Sequence, residues 1–64
     1  MTPYEIKKQA EAQEIAESFI NGNISWVKGM LRGRRRMTLR VLLALEEMGN
    51  PYNSVESFKR IMSA

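Results

Sequence analysis

The chain has 64 residues and a formal net charge of +3, and it contains no cysteine and no histidine. A chain this short buries only about 60% of its unfolded surface, so one core and a single domain over residues 1–64 are expected. The lack of cysteine and histidine excludes disulfides and thiolate or imidazole ligands, and, with all seven acids glutamate, a structural zinc site with them.

A single small core rarely supplies more than ~3 to 5 kcal/mol. Self-association, most simply as a homodimer, is therefore one expected support. The longest strongly apolar run, Val41-Leu42-Leu43-Ala44-Leu45, is far short of the roughly 18 to 20 residues that span a bilayer. Glu5, Glu11, Glu14 and Glu17 do not follow the charged-then-apolar layout of a secretion signal. A soluble, cytoplasmic protein without membrane contact is expected.

The first helix is expected over about 3–20. Thr2 can cap it, Pro3 fits its first position and Glu5 completes a capping box. Ala12, Ile15, Ala16, Phe19 and Ile20 then recur on one stripe, with Lys7, Glu11, Glu14 and Ser18 opposite. Asn21-Gly22-Asn23 closes the element. A second helix, about 24–31, takes Asn23 or Ser25 as its cap and spreads Ile24, Trp26, Val27, Met30 and Leu31 over a broad apolar arc. Gly29 and Gly33 each weaken a helix by ~1 kcal/mol relative to alanine, so a break is expected near Gly33.

The third helix is expected over about 36–48, closed by Gly49 with Pro51 behind it. Met37, Val41, Leu42, Ala44, Leu45 and Met48 share one side, whereas Leu39 and Leu43 fall on another. Asn53 with Glu56 opens a fourth helix, about 54–62, whose stripe is Val55, Phe58, Ile61 and Met62. No segment alternates like a strand. The expected fold is all-α: a small bundle of about four short helices in one core, with a helix-turn-helix-like C-terminal half.

Catalysis is not expected. The chain lacks the usual acid-base residue and the most reactive nucleophile. Glu46 and Glu47, adjacent on a helix, point about 100° apart, and no Gly-Lys-Ser/Thr phosphate loop occurs. No cofactor, metal or small-molecule substrate is implied.

The most distinctive feature is a block of charge. Residues 24–45 carry Lys28, Arg32, Arg34, Arg35, Arg36 and Arg40 and no acid. Such a block is either a solvated link between helices or the contact surface for a polyanion, DNA or RNA. Lys28 and Arg32 suit the negative end of the second helix. Arg35, Arg36 and Arg40 crowd the positive end of the third, a local conflict of the kind that marks function. Guanidinium groups beside open helix amides suit phosphate.

Leu45, Gly49, Val55 and Phe58 fall at helix-turn-helix offsets, but Leu45 stands where a small residue is usual, and Asn50-Pro51 where an apolar one is. An ordinary capped helical hairpin accounts for the same residues. The stretch Phe19-Ile20-Asn21-Gly22-Asn23-Ile24-Ser25-Trp26-Val27, followed by an arginine- and leucine-rich helix, resembles small helical proteins encoded by bacteriophages and prophages. That resemblance implies an accessory or host-directed protein and carries over no functional residue.

Trp26, Met30, Leu39 and Leu43 either complete the core or form a protein interface. Core is the default for Trp26, while the Leu39/Leu43 pair suits self-association. Two functions therefore stay open. One is a regulatory binding module whose arginines contact nucleic acid as a homodimer. The other is a protein that docks its Trp26, Met30, Leu39 and Leu43 surface on a larger host protein with an acidic surface.

Overall fold

The computed structural model describes residues 1–49 and 54–63, and they form four helices. Helix α1 is Pro3–Ile20, α2 Ile24–Leu31, α3 Arg35–Met48 and α4 Ser54–Ser63, with no strand among the described residues. The sequence placed all four to within a residue at each end.

Local chemistry accounts for most of these limits. Thr2 lies in extended backbone and its Oγ1 accepts the Glu5 amide at 3.2 Å, with Pro3 in the first turn. The Glu5 carboxylate does not complete the capping box, because it reaches across to Arg40 on α3. Helix α2 starts after Asn23 without a side-chain cap. Gly22, Gly33 and Gly49, with φ of 92°, 74° and 60°, each stand just beyond a helix end. At Gly49 the left-handed backbone lets the amide bond back to the Glu46 carbonyl at 3.2 Å and close α3. The cap expected at Asn53, and the turn between α3 and α4, lie outside the described residues.

The core joins all four helices. Ala12, Ile15, Ala16 and Phe19 of α1 meet Val27 and Leu31 of α2, Met37, Val41, Ala44 and Leu45 of α3, and Phe58 of α4. The main contact is α1 against α3. Phe19 and Phe58 meet edge to face with ring centroids 5.3 Å apart, a preferred aromatic geometry.

The shortest dimension is only 17 Å, room for two layers of helices about 10 Å across, so every helix keeps a solvent face. This thinness corrects the default placing of Trp26 in the core, since Trp26 is 51% exposed. Ile20 and Met48 also stand at the stripe edges, at 39% and 37% exposure.

Candidate functional site

The six central cations divide by partner. Arg34, between α2 and α3, donates from Nη2 to Glu11 Oε1 at 3.1 Å and from Nη1 to the Met30 carbonyl at 3.5 Å. It straps α1 to the end of α2, and Lys8 closes on the other Glu11 oxygen at 3.7 Å. Arg40 donates from Nη2 to both Glu5 oxygens at 3.1 and 3.0 Å, and its side chain is only 20% exposed. Arg40 was expected to conflict with the α3 dipole and to have no structural reason; it has one, as a second tie of α1, here to α3. Its partner lies 35 residues away in sequence, so no local pattern could reveal it.

Lys28, Arg32, Arg35 and Arg36 are exposed and have no carboxylate within 4.0 Å among the described residues. They surround the turn from α2 to α3. Arg32 is extended, Gly33 left-handed, and α3 begins without a side-chain cap. The first backbone bond of α3 runs from the Thr38 amide to the Arg34 carbonyl at 3.0 Å, which leaves the earlier amides to outside partners.

Beside this turn an open groove of about 910 Å³ runs between α2, α3 and α4. Lys28, Arg32, Arg34 and Arg35 stand around it, Leu31, Leu39, Ile61 and Met62 supply its apolar surface, and among the described residues no carboxylate lines it. Of the α4 stripe Phe58 is buried, while Val55, Ile61 and Met62 pack half-buried against the core.

The four residues proposed as one apolar surface do not come together. Leu39 lines the groove, whereas Trp26, Met30 and Leu43 do not. Trp26 is offset by two residues from Lys28 within α2, which puts the two about 200° apart around the helix. Leu39 and Leu43 are 55% and 54% exposed and sit together on the outer side of α3. No three histidine, cysteine or acidic residues cluster as metal ligands among the described residues. No described helix is long and apolar enough to cross a membrane.

No protein-family model matches the chain, and no curated protein and no solved structure is significantly similar to it. Function has to come from the geometry.

Proposed function

We propose that the chain is a non-catalytic binding module that seats an acidic, amphipathic segment of a larger protein in the groove between α2, α3 and α4. The observation that carries this reading is the lining of the groove: Lys28, Arg32 and Arg35, with the Glu11-paired Arg34, around an apolar surface that no acid lines among the described residues. A volume of about 910 Å³ suits a ligand cleft, typically ~300 to 1,000 Å³. An amphipathic helix laid in such a groove buries apolar anchors one turn apart on Leu39, Ile61 and Met62. Its carboxylates meet Lys28, Arg32 and Arg35, which also speed the encounter.

Nucleic acid is the second reading, favoured by Arg36, which stands outside the groove, and by the open amides of α3. It fits the groove less well. Phosphates make no use of an apolar surface, and among the described residues no aromatic side chain lines the groove to stack a base.

The test is a pull-down from a bacterial lysate with and without nuclease, using the wild type and an Arg32→Glu/Met62→Glu variant as bait. The expected partner survives nuclease and is lost with the variant. Recovery that disappears on nuclease treatment would transfer the function to nucleic acid. In that case four phosphate contacts predict that log K falls against log salt with a slope of about −3 to −4.

A further inference from the structure

We infer that the outer face of α3 binds a second copy of the same helix, antiparallel and centred on Val41. Arg35, Arg36, Leu39, Leu43, Glu46 and Glu47 are all exposed, and at 100° per residue they share an arc about 120° wide. Along that arc the order is basic, apolar, acidic. The pairs Arg35/Glu47, Arg36/Glu46 and Leu39/Leu43 are all centred on Val41. An antiparallel copy in that register sets Leu39 of each chain level with Leu43 of the other. The Arg35-Arg36 pair of each chain stands level with Glu46-Glu47 of the other. The same patch serves both copies, as a two-fold interface requires.

The helix dipole supplies an independent argument for this occupant. The first turn of α3 has no acid and its last turn no base, so Arg35 and Arg36 sit at the positive end and Glu46 and Glu47 at the negative end. Each placement is unfavourable within one helix. Against an antiparallel neighbour both become favourable, since the arginines approach a helix C-terminus and the glutamates an N-terminus. A parallel neighbour would set arginine against arginine and glutamate against glutamate.

Fourteen residues of helix give a face about 21 Å long and about 10 Å wide, roughly 200 Å², well below the roughly 800 Å² per partner of a standard interface. The dimer is therefore weak and concentration-dependent. It does not rest on the groove reading: Lys28, Arg32, Ile61 and Met62 take no part in it, while Arg35 and Leu39 border both surfaces.

Sedimentation of three proteins tests it between about 10 μM and 1 mM, a range suited to so small an interface. The wild type should move from the 7.4 kDa monomer toward twice that mass. Arg35→Glu/Arg36→Glu makes the face wholly acidic at both ends, and Glu46→Arg/Glu47→Arg makes it wholly basic. Each variant should stay monomeric and keep its helicity, because each also improves the match to its own helix dipole. Mixed in equal amounts, the two should recover dimer, since their faces are complementary again. A wild type that stays monomeric at 1 mM would overturn the inference. So would either variant dimerising like the wild type, or a mixture that remains monomeric.

Discussion

The two faces of α3 are made from similar residues and meet different fates. On the inward face Met37, Val41, Ala44 and Leu45 are buried, and the one cation, Arg40, finds Glu5 on α1. On the outward face Arg35, Arg36, Leu39, Leu43, Glu46 and Glu47 are exposed, and their side chains make no hydrogen bond or ion pair among the described residues. A cation near the positive end of a helix is thus no sign of function by itself. Arg40 is explained by a tertiary partner, and only the residues that tertiary structure leaves unexplained, Arg35 and Arg36, point outside the chain.

This contrast breaks most readily at the leucines. Leu45→Ala removes a side chain only 1% exposed and should lower unfolding free energy by about 2 to 5 kcal/mol, most of what so small a core supplies. Leu43→Ala, measured by urea denaturation at low protein concentration, should stay within about 0.5 kcal/mol of the wild type. Equal losses at the two positions would abolish the distinction between the faces.

The closing turn of α3 should respond next. Among the described residues no atom beyond its chain neighbours lies within 4 Å of a Cβ added at Gly49, so the expected cost of Gly49→Val is conformational. With φ at 60° it should be about 1 kcal/mol or more. A neutral result in thermal or urea unfolding would mean that α3 does not end on a left-handed residue.

The arginines sharpen the contrast at smaller energies. Arg40→Ala should cost roughly 0.5 to 1 kcal/mol through its pair with Glu5, and a double-mutant cycle with Glu5→Ala should recover that coupling. Arg36→Glu, one position along the outer face, should instead raise monomer stability by about 0.3 to 1 kcal/mol by reversing a charge at the α3 N-terminus. A loss there would show that Arg36 has a structural partner.

The helices were legible in the sequence because their limits are local events: Thr2 before Pro3, and glycines where the backbone turns left-handed. The charge block was legible too, and so was the oddity of Leu39 and Leu43. What could not be read were the uses of individual charges, since Glu11 with Arg34 and Glu5 with Arg40 meet across 23 and 35 residues of sequence. Nor could the grouping of apolar residues be read. Trp26 falls at the edge of its arc, where sequence alone does not decide between core and the 51% exposure it has. The groove joins α2 and α3 to Ile61 and Met62 at the far end of the chain.

The antiparallel register of the outer face is open to one direct measurement, because the described residues contain no cysteine and neither does the rest of the chain. Leu39→Cys and Leu43→Cys proteins, mixed in equal amounts in a glutathione redox buffer, report which positions lie level across the dimer. The account predicts that the mixed disulfide between the two variants predominates over both homodimeric products. A statistical distribution, or preferential linking of Leu39→Cys to itself, would contradict it.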